Sequence, residues 1–174
     1  DMITHKHVIE AIESYYEGGV VQYGEGWNGA QSKLNKDKPS ENKPIDICAV
    51  FGSGGDIGYD HHVRNDLLYK DHRIQIFKEL EKLSKKYNII TGRMDWQKYM
   101  QTLYNSKICI SPFGMGEIRQ GDGESVQMGT IICKENMSLY DFGSNVWEEN
   151  KTYIPFEYDC SDLAEQLDIV LSNY

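Results

Sequence analysis

A chain of 174 residues, 40% hydrophobic and 26% charged, is ordinary for a soluble globular domain and long enough to bury one core. Its formal net charge of −9 excludes general binding to nucleic acid or to anionic membrane, since both need a basic surface. It leaves room for a small anionic ligand held by a local cluster of cations. No apolar run approaches the ~20 residues of a membrane span, and no signal-peptide pattern is present, so no transmembrane segment is expected.

Along the chain, Val8, Ile12, Tyr15 and Tyr16 fall on one face of a predicted helix over residues 3–16. Residues 31–44 are polar, lysine-rich and punctuated by proline, which reads as a linker. Residues 1–44 are therefore expected to precede a compact domain spanning 45–174. That domain opens on the β-rich run Ile45–Phe51, which ends in Gly52-Ser53-Gly54-Gly55. Ile74, Phe77, Leu80 and Leu83 predict a helix over 72–86 with Asp71 as its N-cap. A short strand at Tyr87–Thr91 closes on Gly92, and Asp95 caps a helix whose stripe holds Trp96, Tyr99 and Leu103.

Further strands are expected at Lys107–Ser111, Thr130–Lys134 and Thr152–Tyr158, with helices at Gln120–Met128 and after a Ser161 cap. Strands separated by helical segments imply βαβ units. The expected fold class is α/β, a single Rossmann-like three-layer domain with a mostly parallel sheet.

Cys48, Cys109 and Cys133 lie inside apolar runs and, with Cys160, show no zinc-ligand spacing. They are expected to be buried, reduced thiols, which favours a cytoplasmic location. No metal site is expected. His61-His62 is read as a polar loop, because adjacent residues diverge on any element. The Gly52-x-Gly54 pair lacks the immediately following helix of a dinucleotide fingerprint.

The segment Ser111-Pro-Phe-Gly-Met-Gly-Glu117, followed by Glu124 and Gly129, carries the functional signal. Strand, glycine-rich turn, acidic helix and strand is how a doubly wound domain builds an anion site at the carboxyl edge of its sheet. Gly116 lets backbone approach a ligand, and Glu124 is able to accept two sugar hydroxyls. The pattern reads as a nucleotide-sugar pocket.

Four segments resemble, in order and spacing, the C-terminal donor-binding half of GT-B glycosyltransferases. They are Thr91-Gly92-Arg93 with Trp96–Tyr104, Asn105–Pro112, Gly116-Glu117 through Glu124 to Ile132, and Tyr153-Ile-Pro155 with Ser161-Asp162-Leu163. The resemblance covers about three quarters of the chain, residues 45–174, and is nearest to bacterial and viral transferases of surface polysaccharides. Glu117 and Glu124 stand one position closer than the family's usual glutamate pair. Gly121 holds the place of an arginine frequent in that subgroup, with Arg119 two residues earlier.

The resemblance implies transfer of a sugar from a nucleotide-diphosphate donor to a glycan or polysaccharide acceptor, with no metal and no further cofactor. Glu124 would take the ribose hydroxyls. Gly54, Arg93, Gly116, Glu117 and Arg119 would approach the diphosphate, base or donor sugar, with Arg64, Lys70 and Arg73 as further cations. Each residue also has a plainer reading: a surface ion pair for the arginines, a helix cap for Glu117, a solvated charge for Glu124. Trp96 and Tyr99 are expected mainly as core packing, with stacking on a base the other possibility.

No catalytic residue is assigned. GT-B chemistry takes place between two Rossmann-like domains, so a second domain or partner chain is implied. A non-catalytic nucleotide-sugar sensor on the same fold, and a flavodoxin-like binding protein, are the alternatives.

Overall fold

A computed structural model of the chain describes residues 42–52, 66–113, 119–139 and 146–174, with residues 66–69 described by their backbone alone. The predicted helix at 3–16 and nearly all of the linker lie outside the described residues.

Five strands form one sheet: β1 (Ile45–Ala49), β2 (Ile89–Thr91), β3 (Ser106–Ile110), β4 (Ile131–Glu135) and β5 (Ile154–Phe156). Their spatial order is β2-β1-β3-β4-β5, and every pairing is parallel. Among the described residues the α-helices are α1 (Asp66–Leu83), α2 (Trp96–Tyr104), α3 (Gln120–Gln127) and α4 (Leu163–Ser172). The expected α/β, three-layer, Rossmann-like class is what the chain adopts, with a sheet that is wholly parallel.

Successive strand residues point to opposite faces, and the sequence supplies apolar side chains for both. Ile47, Ala49, Ile108, Ile110, Ile131, Cys133, Ile154 and Phe156 meet Ile76 and Leu80 of α1 and Leu163 and Leu167 of α4. Cys48 and Cys109, opposite one another on β1 and β3, turn to the other face and pack on Met100 and Leu103 of α2. All four cysteines are buried and free of disulfide bonds.

One buried cation ties this second face together. Lys43, just before β1, is 3% exposed, and its ammonium donates to Tyr104 O (2.9 Å), Met128 O (3.0 Å) and Thr130 Oγ1 (3.3 Å). Two of these acceptors are carbonyls just at the C-terminal ends of α2 and α3, where helix carbonyls lack intrahelical partners.

Two expected caps are corrected. α1 begins at Asp66, so Asp71 sits in its second turn and not at its cap. The N-cap of α4 is Asp162 rather than Ser161, and the Asp162 carboxylate accepts from the Glu157 amide at 2.7 Å. Asp95 does cap α2, accepting from the Lys98 amide at 3.0 Å.

This topology fixes where a ligand fits. From β1 the chain crosses to β2 on one side, and from β2 it returns past β1 to β3 on the other. α1 and α3 therefore leave neighbouring strands toward opposite faces. The crevice between them, at the carboxyl ends of β1 and β3, is the switch point of the sheet.

Candidate functional site

A cleft of about 730 Å³ opens at that switch point. Val50–Gly52 form its floor after β1, and Arg93 and Met94 come from the turn after β2. Trp96 and Tyr99 of α2 line one side; Arg119, Gln120, Gly121 and Glu124, at and within α3, line the other.

Two glycines permit this approach. Gly92 has φ +96°, a conformation that side chains rarely tolerate, and it turns the chain from β2 toward Arg93. At Gly52 a Cβ would sit 3.1 Å from Arg93 Nε, so glycine lets the guanidinium pack closely against the end of β1.

α3 is intrinsically poor, with Gly121 and Gly123 among its eight residues. A buried polar anchor holds its start. Asp122, 3% exposed, accepts from the Arg119 amide at 2.8 Å and from the Ser111 hydroxyl. Lys134, fully buried on β4, donates to Ser111 O at 3.1 Å and lies 3.3 Å from Asp122 Oδ2. Arg119 donates through Nη1 to Pro112 O at 2.9 Å, which sets its guanidinium on the cleft wall. Gly121 faces α2: a Cβ there would meet the Tyr99 hydroxyl at 3.1 Å.

Glu124 is the most informative group. It is only 6% exposed, yet it lines the cleft, accepting from Gln120 Nε2 at 3.0 Å with the polar ends of Tyr99 and Trp96 close by. Burial pushes its carboxyl above the usual glutamate range, against the pull of those three groups and of nearby Arg119. The Tyr99 phenol is pushed far up by burial, and then by Cys109 and Glu124, so it remains a donor at any physiological pH. The cleft thus offers a desolvated carboxylate, two guanidinium groups and aromatic surface within one space. That set suits a ligand that carries both hydroxyls and anionic oxygens.

Of the residues singled out in the sequence, Arg93, Arg119 and Glu124 meet in this cleft. Gly54, Gly116 and Glu117 lie outside the described residues, as do His61, His62 and Arg64. Lys70 is exposed on α1, away from the cleft lining. Arg73 donates to two backbone carbonyls, Gly52 O and Phe113 O.

Trp96 and Tyr99 were expected chiefly in the core, and that is corrected for Trp96, which is 45% exposed on the cleft rim. Its place as the first residue of α2, beside the Asp95 cap, was the available signal, because a first-turn side chain overlooks the strand ends. Among the described residues no group of three or more His, Cys, Asp or Glu could hold a metal ion, and no helix is long and apolar enough to cross a membrane. No family model, curated protein or solved structure matches this chain.

Proposed function

We propose that the domain binds a nucleotide-diphosphate sugar in this cleft and serves as the donor-binding half of a glycosyltransferase acting on a glycan or polysaccharide. The observation that carries this reading is Glu124, a nearly buried carboxylate that lines a switch-point cleft together with Arg93 and Arg119. Burying a carboxylate costs free energy unless hydrogen-bond donors compensate it. A ribose diol brings two such donors and satisfies the carboxylate in bidentate fashion.

In this reading Arg93 and Arg119 face the diphosphate. Their charge would stabilise what accumulates on the leaving group as the glycosidic bond breaks, the part that metal ions play in other transferases. Trp96, on the rim, offers a face for the base. Acceptor binding and any general base are left to a second Rossmann-like domain or partner chain, as in the GT-B enzymes the sequence resembles.

The test is calorimetric titration with UDP, GDP, ADP, CMP and dTDP and their sugars. One of them should bind, and Glu124→Ala should weaken it at least about tenfold, as expected for a lost charge-assisted contact. Unchanged affinity in the variant rejects the assignment, and no binding of any nucleotide rejects the function.

A further inference from the structure

Gly52 and Phe113 begin the connections that leave β1 and β3, the two strands flanking the cleft. Both are held from the other face of the sheet by Arg73 of α1, and its neighbour His72 reaches Phe113 through Glu135. Arg73 Nη1 donates to Gly52 O at 2.9 Å and Nη2 to Phe113 O at 2.7 Å, so one planar fork spans the switch point. The guanidinium also lies over the Phe51 ring, 5.8 Å from its centre, and that ring stacks on Phe77 of the same helix.

His72, 5% exposed, hydrogen-bonds through Nε2 to Glu135 Oε1 at 2.5 Å and stacks on Tyr158 at 4.2 Å. Glu135, 1% exposed at the end of β4, accepts the Phe113 amide at 2.9 Å. Phe113 is therefore gripped at both its carbonyl and its amide. None of Arg73, His72 and Glu135 lines the cleft.

We propose that Arg73 and His72 are positioning residues that clasp the ends of β1 and β3 and so hold the cleft between them at its binding width without touching the ligand. The proposal rests on the nucleotide reading of the cleft only for its affinity readout.

Beyond the Cys48–Cys109 pairing the crevice has no ladder hydrogen bonds to close it, because β1 and β3 send their chains to opposite faces. Without a bridge the two ends are free to splay, and a ligand must then select the minority of molecules in which they are close. Apparent affinity falls by the fraction that is competent. The fork geometry is what matters here. A lysine keeps the positive charge but offers one compact ammonium, which lacks the two separated, coplanar nitrogens that reach two carbonyls at once.

The experiment compares wild type, Arg73→Lys and Arg73→Ala, the last with and without added guanidinium ion. Exchange of the Phe113 amide is followed without ligand, and affinity for the nucleoside diphosphate that wild type binds is measured well below the melting temperature. Arg73→Lys should exchange the Phe113 amide at least about tenfold faster and bind about tenfold more weakly. Guanidinium should restore both in Arg73→Ala, whereas methylammonium should not. Phe113 exchange unchanged in both variants overturns the clasp. So does full affinity in Arg73→Lys, which would give Arg73 the role of a simple charge. Faster exchange in a protein whose wild type binds no nucleotide leaves the clasp standing and rejects the function proposed for the cleft.

Discussion

Lys43→Met tests whether a buried ammonium ties α2 and α3 to the sheet. Methionine keeps the stem and removes the donor, leaving Tyr104 O and Met128 O without their present partner in a site where the lysine is 3% exposed. Losing hydrogen bonds from a charged group to two buried carbonyls costs several kcal/mol, and shedding the ammonium's desolvation returns part of that. A net loss of about 3 kcal/mol at pH 7 follows, or a fall in Tm of roughly 10 °C.

The pH dependence makes the test specific. Burial lowers the Lys43 ammonium from 10.5 to about 8. Between those values the unfolded chain keeps its proton and the folded chain gives it up, so this group makes stability rise with pH across that window. The methionine variant lacks that rise, and comparing the two proteins cancels the tyrosines and thiols that also titrate there. The gap in unfolding free energy, measured by urea titration, should therefore widen by about 2 kcal/mol between pH 7 and pH 9.5. A gap that stays constant or narrows would show that the three acceptors hold the ammonium charged as firmly as water does, and the argument from burial would fail.

Other outcomes follow from the same geometry. Asp122→Asn leaves Lys134 buried without a carboxylate and should cost about 3 kcal/mol; adding Lys134→Met should recover most of it in urea titrations, and a double variant no better than the single refutes the coupling. Glu124→Gln should raise the Tm of the ligand-free protein at pH 7 by roughly 2 °C while weakening nucleotide binding. The sign follows because the folded carboxyl sits above its unfolded value and so loses stability as pH rises through that interval. For the same reason, nucleotide affinity in acid should begin to fall at a higher pH than an ordinary glutamate would dictate, as read by calorimetry. Excess EDTA should leave nucleotide affinity unchanged, and its loss would point to a metal-dependent transferase.

The strands were legible because a wholly parallel sheet buries both of its faces, and runs such as Ile47–Ala49 and Ile131–Cys133 are apolar without alternation. Strand order was not legible. The return from β2 across β1 to β3 is decided by pairings between residues far apart in the chain, which no local pattern encodes. The start of α1 was missed because Asp71 makes as good a cap as any residue upstream, and only the hydrogen-bonded backbone shows that the helix begins at Asp66.

Glu124, Arg93 and Arg119 were read from their places after strands, and their convergence required the fold. The buried polar groups were the least visible. Lys43, His72, Asp122 and Lys134 look like ordinary surface residues until their partners, as far as 87 positions away, are brought to them. Lys134 alone gave a hint, since it closes the expected strand Thr130–Lys134, and strands of a parallel sheet are buried on both faces.

The four buried thiols bear on how the protein behaves once it is opened. Burial pushes the Cys133 thiol up and holds Cys160 at about 12, and the contact between Cys48 and Cys109 pushes the first up and the second down, but all four sulfurs are buried away from oxidant. Unfolding removes that shelter from all four at once. Cys48 and Cys109, neighbours across β1 and β3, would then be able to oxidise with any partner, and a wrong pair would block the return of those strands to register. Thermal denaturation should thus be reversible in reductant and at low pH. In air at alkaline pH it should become a one-way process, with an apparent melting point that depends on how slowly the sample is heated.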